Sequence, residues 1–261
     1  MDQKIEGTSL ADKKYSVPAI VNAFEILKLL SRNKYKESTL TEVANAVNLT
    51  APTCYRLLQQ LKELSLVRFD NNKKRYTLGT YLVILGERAK ESLDFISIIE
   101  PYLAELTRGT GLTSLLANRV DDQRLTQIAK NEGEDFGIKI SIGRHFNILD
   151  GDSYGKCFLA FMNEEERDEL LKNENENYRL KVVTELNDYK SYGFSWSYSK
   201  GNRSRFPGIF GVSSPIYLEK GRLELCVSVV GMTAQFTEEE VIKTIGPQVK
   251  LIADQINQEF N

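Results

Sequence analysis

The sequence predicts an α+β protein of two domains joined by a long helix, and three observations carry this. Residues 39–79 run in the order helix, sharp turn, helix and basic hairpin. A helical spacing of apolar residues follows, from Tyr81 to Arg108. From Leu112 onward, short strand patterns interleave with helices, the order of an antiparallel sheet with helices packed on it.

A length of 261 residues leaves room for a small module plus one larger domain. With 41% hydrophobic and 27% charged residues, the composition is that of a soluble globular protein. No apolar run approaches the roughly 18 residues of a membrane helix. Residues 1–14 form a polar tail without a signal-peptide stretch, so a cytoplasmic location is expected. Cys54, Cys157 and Cys226 lie far apart among apolar neighbours, as small buried side chains do, rather than as a disulfide or metal site. A single histidine, His145, and the lack of a GxSxG motif leave little for a hydrolase. Net charge is −2, but residues 1–79 hold 13 Lys+Arg against 8 Asp+Glu and the remainder 21 against 28. A basic small domain on an acidic larger one fits a DNA-binding head.

Val17 to Ser31 reads as the first helix, with Pro18 in its first turn and Ile20, Val21, Phe24, Leu27 and Leu30 at helical spacing. Ser31 to Ser38 is a polar loop. Thr39 and Glu42 make a capping box for the second helix, whose Val43, Ala44 and Val47 face inward. Asn48 suits the left-handed turn that ends it. Thr50 caps a third helix with Pro52 in its first turn. Cys54, Leu57, Leu58, Leu61 and Leu64 share one face of that helix; Thr53, Tyr55, Arg56, Gln59 and Gln60 mark the other. Arg and Gln make paired hydrogen bonds to guanine and adenine edges, and Thr or Tyr reaches phosphates. Strands 66–69 and 75–78 flank the turn Asp70 to Lys74, with Lys73, Lys74 and Arg75 at the tip to meet a phosphate backbone. This is the order of a winged helix-turn-helix, with Thr50, Ala51, Thr53, Tyr55, Arg56, Gln59, Gln60, Arg68, Lys73, Lys74 and Arg75 as candidate DNA contacts. The alternative is a small α+β domain with a solvated polar helix face.

Tyr81 to Arg108 carries Leu82, Leu85, Ala89, Leu93, Ile96, Ile99, Leu103 and Leu106 at helical spacing, with Pro101 expected to break or restart the helix. It reads as a connector, a dimer surface, a core helix or a mixture of these. Strands are expected at 113–119, 125–130, 138–142, 208–218 and 223–230, and helices at 153–162, 164–171 and 237–260, the last opened by a capping box at Thr237 and Glu240. Residues 143–152 and 173–181 read as loops.

The run Leu40-Thr41-Glu42-Val43-Ala44, Leu49, Thr53, Arg56-Leu57-Leu58, Leu61, Leu64, Val67, Tyr76 and Leu78-Gly79 resembles the N-terminal domain of IclR-family bacterial transcriptional regulators. The C-terminal pieces Gly143, Gly155-Lys156, Leu159-Ala160, Gly193-Phe194, Pro207-Gly208, Ser214-Pro215-Ile216 and Val227-Ser228-Val229 before Gly231 are similar to the effector-binding domain of that family. The resemblance implies a winged helix-turn-helix at 15–79, a linker helix at 80–98 and a GAF-like α+β effector-binding domain at 99–261. It implies a regulator, more often a repressor, acting on double-stranded operator DNA as a homodimer or dimer of dimers, with no cofactor. The candidate effector residues are Phe146, Asp150, Gly151, Asp152, Ser153, Tyr154, Trp196, Arg203, Arg205, Gly211, Cys226 and Ser228.

Four departures from the family pattern stand out. Ala51 and Pro52 replace a basic residue and a serine, which bears on the operator sequence. Where the family typically reads His-Ala-Thr-Ala-Leu-Gly-Lys, this chain has Asp150-Gly151-Asp152-Ser153-Tyr154-Gly155-Lys156. Basic Lys200, Arg203 and Arg205 stand where the family is acidic, and Gly211 stands at a family cysteine position. Two readings follow: Asp150 and Asp152 pair with Arg203 or Arg205 around a sugar or sugar acid, or Asp152 only caps the helix at Ser153. An enzyme fused to a DNA-binding head and a ligand-independent architectural protein remain the alternatives of other classes.

Overall fold

The computed structural model describes residues 17–133, 140–143, 145–150, 152–199, 207–218 and 223–260, the side chains of 90–92 and 181 excepted. The chain divides into two compact units between Leu93 and Asp94.

In the first unit, α1 (Pro18–Leu30), α2 (Leu40–Ala46) and α3 (Ala51–Glu63) precede a hairpin of β1 (Val67–Asp70) and β2 (Arg75–Leu78). Ile26, Leu29 and Leu30 of α1 close over Val43, Ala44, Cys54, Leu58, Leu61, Val67 and Tyr76. This corrects the face expected for α1: Ile20 and Phe24 are exposed, because the helix carries a second apolar stripe and only the Ile26 stripe meets α2 and α3. Leu64 is likewise exposed, since α3 ends at Glu63 and the chain leaves the helix there. Asn48 takes φ 53° in the turn between α2 and α3. A last helix of this unit, α4 (Tyr81–Ser92), follows the hairpin.

The second unit opens with α5 (Asp94–Thr110), so the helical connector is interrupted at Leu93 and runs through Pro101. Pro101 and Ser97, whose carbonyl the ring leaves unpaired, are both exposed and water can serve the freed group, while Ile96, Ile99, Leu103 and Leu106 anchor the buried face. Six antiparallel strands form one sheet in the order β5 (His145–Asn147), β4 (Arg124–Asn131), β3 (Thr113–Arg119), β8 (Leu223–Met232), β7 (Ile209–Tyr217), β6 (Ser195–Tyr198). Helices α6 (Ser153–Phe161), α7 (Glu164–Leu171) and α8 (Glu176–Tyr192) connect β5 to β6. After β8 come α9 (Glu238–Glu240), a π turn at Val241–Ile245 and α10 (Gly246–Glu259). Helices α5 and α10 join one core with Leu116, Val212, Leu225, Val227 and Val229; α6 and α8 join the other with Leu115, Ala117, Leu125 and Cys226. Alternation along β3 sends Leu115 and Ala117 to one core and Leu116 to the other, and the register with β4 shifts at Leu116/Ala117, where Ile128 is the extra residue.

Three expectations need correction. Residues 140–143 form no strand despite the alternation at 138–142; Ile138 and Lys139 lie outside the described residues. The strand falls instead at His145–Asn147, inside the expected loop, and a 3-10 turn at Ile148–Asp150 follows it. Within the expected loop 173–181, Asn175 caps α8 through a bond from the Tyr178 amide, and Gly193 in the left-handed conformation (φ 78°) ends that helix before β6.

Helix α6 lies so close to the 3-10 turn that a Cβ on Gly155 would stand 2.0 Å from the Ile148 carbonyl oxygen. Gly155→Ala should therefore destabilise the second unit by about 1–3 kcal/mol, seen as a lower urea midpoint at an unchanged slope; an unaltered midpoint would refute the contact.

Candidate functional site

In the first unit a single carboxylate organises the surface around α3. Thr39 and Glu42 form the expected capping box, the Thr39 amide donating to Glu42 Oε2 at 2.7 Å and the Glu42 amide to Thr39 Oγ1 at 3.3 Å. Glu42 Oε2 also accepts from Arg75 at 3.3 Å, and Arg75 donates to the Glu37 carbonyl at 2.7 Å. The amide and hydroxyl of Thr39, with Arg75 behind them, hold the Glu42 carboxyl below its ordinary range. The hairpin is thereby tied to the start of α2.

Helix α3 presents Ala51, Tyr55, Arg56 and Gln60 to solvent, with Thr53 and Gln59 half-buried beside them. Thr50 occupies the N-cap position but makes no capping bond; its hydroxyl donates to that of Thr53 at 2.9 Å. Gln60 donates to Glu63 at 3.3 Å, and Gln59 reaches the Tyr76 hydroxyl at 3.5 Å. In the hairpin, Asp70 Oδ1 accepts from the amides of Asn72 and Lys73, and Lys74 adopts φ 55° at the tip. Lys73 pairs loosely with Glu37 at 3.4 Å, and Arg68 is exposed on β1. Arg68, Lys73 and Arg75 border a surface cavity of about 280 Å³.

In the second unit a row of serines crosses the α6 side of the sheet. Register aligns Ser195, Ser213 and Ser228 on β6, β7 and β8, and all three are buried. The Ser213 hydroxyl donates to Ser153 Oγ at 2.9 Å and bonds that of Ser228 at 2.6 Å; Ser195 donates to the Ser153 carbonyl at 2.8 Å. A Cβ on Gly211 would stand 2.5 Å from Ser153 Oγ. The lack of a side chain at Gly211 thus leaves room for the Ser153 hydroxyl. Tyr154 stacks tilted on Phe146 at 5.5 Å and bonds Gln127 at 2.9 Å, and burial pushes its hydroxyl pKa up. Cys226 contacts Cys157 in the same core, and burial raises the Cys157 thiol.

Phe146, Asp152, Ser153, Tyr154, Gly211, Cys226 and Ser228 therefore lie together around the N-terminal half of α6. Asp152 caps that helix, Oδ1 accepting from the Gly155 amide at 2.8 Å. Asp150 is exposed in the adjacent 3-10 turn and accepts from the Asn147 amide at 2.9 Å. Trp196 is not part of this cluster. It stands on the edge strand in ring contact with Tyr189, Tyr192 and Phe194, and with Lys156, Glu185, Asp188, Tyr198 and Glu238 it lines a separate cavity of about 250 Å³. Gly151, Arg203 and Arg205 lie outside the described residues. Sequence reasoning missed Ser195, Ser213 and Gln127; the available signal was a polar residue inside an otherwise apolar strand pattern, at Ser213 and Gln127.

A capped helix-turn-helix with a basic hairpin, followed by an α+β sheet domain, defines a DNA-binding transcriptional regulator. Residues 19–71 match the IclR helix-turn-helix domain and residues 87–258 the bacterial transcriptional regulator IclR C-terminal domain. The HTH-type transcriptional regulator KdgR of Escherichia coli K12 is 26% identical over 236 residues, covering 87% of this chain and 86% of its own. The acetate operon repressor of Salmonella typhimurium LT2 is 24% identical over 215 residues, 77% of this chain and 76% of its own. The crystal structure of an IclR transcriptional regulator from Alicyclobacillus acidocaldarius is 30% identical with a TM-score of 0.83, covering 95% of this chain and all of that one. The chain belongs to the IclR family of transcriptional regulators. Both matched domains are those of regulators, which decides against the enzyme-fusion alternative. Among the described residues no helix is long and apolar enough to cross a membrane.

The Glu42 arrangement predicts a pH effect of definite sign. Its folded pKa is depressed, so its contribution is present above the unfolded value of about 4.3 and is lost as pH falls through the folded value. In acid titration of thermal stability, Glu42→Gln should flatten the decline of the first unit below that pH. An identical profile for wild type and variant would remove the carboxylate from its assigned role.

Proposed function

We propose that this protein is a repressor-type regulator that holds an operator through α3 and its wing and releases or grips it in response to a small polar metabolite. The observation that carries the reading is the solvent face of α3, where Ala51, Tyr55, Arg56 and Gln60 stand clear of the core while Cys54, Leu58 and Leu61 anchor the opposite face. Arg56, Gln59 and Gln60 read base edges, and Thr50, Thr53 and Tyr55 meet sugar and phosphate. Arg68, Lys73, Lys74 and Arg75 lie against the backbone. Residues 15–79 act as the head, 80–98 as the linker helix and 99–261 as the effector-binding domain. Exposed Val17 before α1, Ile20 and Phe24 on α1 and Val83, Ile84 and Leu85 on α4 supply apolar surface for pairing two heads as a dimer, with a dimer of dimers as the larger form. The name of the Salmonella relative, an operon repressor, supports the direction of control.

The effector, of the sugar or sugar-acid kind, binds at the N-terminal end of α6, between Phe146 and Tyr154 and the Ser153, Gly211, Cys226 and Ser228 patch. Asp150 and Asp152 bind hydroxyl groups, with Gly151, Arg203 and Arg205 completing the proposed set. The ligand shifts operator affinity only by its preference for one arrangement of the protein over another.

Fluorescence anisotropy on the DNA upstream of the protein's own gene tests the head. Arg56→Ala should weaken specific binding by about 1–3 kcal/mol, and Lys74→Ala should lower the salt dependence by about one phosphate contact. Weak binding to every DNA, indifferent to Arg56, would overturn the assignment. For the second unit, Asp152→Ala should cost about 1 kcal/mol of stability through loss of the cap, whereas Asp152→Asn should restore it. Equal melting temperatures for the alanine variant and wild type would contradict the capping geometry.

A further inference from the structure

Gln127 stands on β4, buried to 3% exposure, with its side chain on the face covered by α6. Its Nε2 donates to the Tyr154 hydroxyl at 2.9 Å, while its Oε1 is buried and meets no partner. A buried amide with one end open is unfavourable unless another group completes it. Turning the amide over does not close it: Tyr154 then donates to the oxygen, and the NH₂ is the open end. A hydroxyl answers both orientations, since it donates to an open oxygen and accepts from an open N–H. A carboxylate answers only the second. The side chains in register beside Gln127, Ala117 and Cys226, are small, and Ser228 stands one row further along β8.

We infer that Gln127, oriented by Tyr154, is a specificity-determining residue of the effector site and reads a hydroxyl group of a sugar or sugar acid. This rests on the proposed placement of the effector at the α6 N-terminus. It deepens that reading, because a hydroxyl completes Gln127 in either orientation of its amide, whereas a carboxylate does so in only one.

The test is isothermal titration calorimetry on the full-length protein with D-glucose, D-galactose, D-xylose, D-gluconate and D-galacturonate, followed by the monodeoxy analogues of any compound that binds. Gln127→Leu and Tyr154→Phe are compared with wild type, thermal melts and operator binding without ligand serving as folding controls. The expected result is that Gln127→Leu weakens a bound sugar about tenfold or more. One monodeoxy analogue should lose a similar factor on wild type and nothing further on the variant, the non-additivity of two groups in contact. Should Gln127→Leu fail its folding controls, Tyr154→Phe is expected to give the same analogue pattern. If a compound binds variants and wild type alike, with every deoxy penalty unchanged, the role of Gln127 is overturned while the effector reading stands. If none of the five binds wild type that still binds its operator, both fall.

Discussion

Everything in the second unit depends on how α6 is seated on a sheet face that is not purely apolar. Four buried serine hydroxyls must be satisfied in the absence of solvent, and they satisfy one another: Ser153 with Ser213, Ser213 with Ser228, and Ser195 with the Ser153 carbonyl. A hydrogen-bond network of this kind has one geometry, and a shift of α6 by a single turn would strand several polar groups at once. The Gly155 contact with the Ile148 carbonyl sets the same position from the other side. The N-terminal end of α6 is therefore fixed in register with β6, β7 and β8, and this gives the proposed effector site its shape.

The first unit solves an analogous problem with one charge. The Glu42 carboxylate accepts from the amide and the hydroxyl of Thr39, the N-cap of α2, and from the guanidinium of Arg75 in the wing. Of the expected phosphate contacts, Arg75 is thus already engaged and Lys73 loosely so, while Lys74 is exposed at the tip in a left-handed conformation.

Much of the head was legible because its signals are local. A capping box, an Asn before a sharp turn and a Pro in a first turn each act within four residues, and all three appear where the residues place them. Leu64 and Ile20 misled because helical spacing alone does not say which stripe the rest of the fold will cover. In the second unit the long strands and α6 were legible by pattern. Helix α8 was not, since its first turns are polar and its apolar residues are spread around it, with Leu180 and Val183 left exposed. Strands β5 and β6, three and four residues long, carry too little alternation to register. At the candidate site, adjacency in sequence pointed correctly to Asp152, Ser153 and Tyr154. The partners Gln127, Ser213 and Ser195 come from other strands, and only pairing register brings them in. Trp196 shares β6 with Ser195 yet stands apart from that cluster.

The placement of Trp196 has an optical consequence. It is the chain's single tryptophan, and it lies wholly within the second unit, enclosed by the rings of Tyr189, Tyr192 and Phe194. Indole emission therefore reports on the sheet domain alone, whereas the far-ultraviolet helical signal comes from both units. A denaturation followed with both probes separates the unfolding of head and body without any label, and a divergence between the two curves measures how independently the units melt.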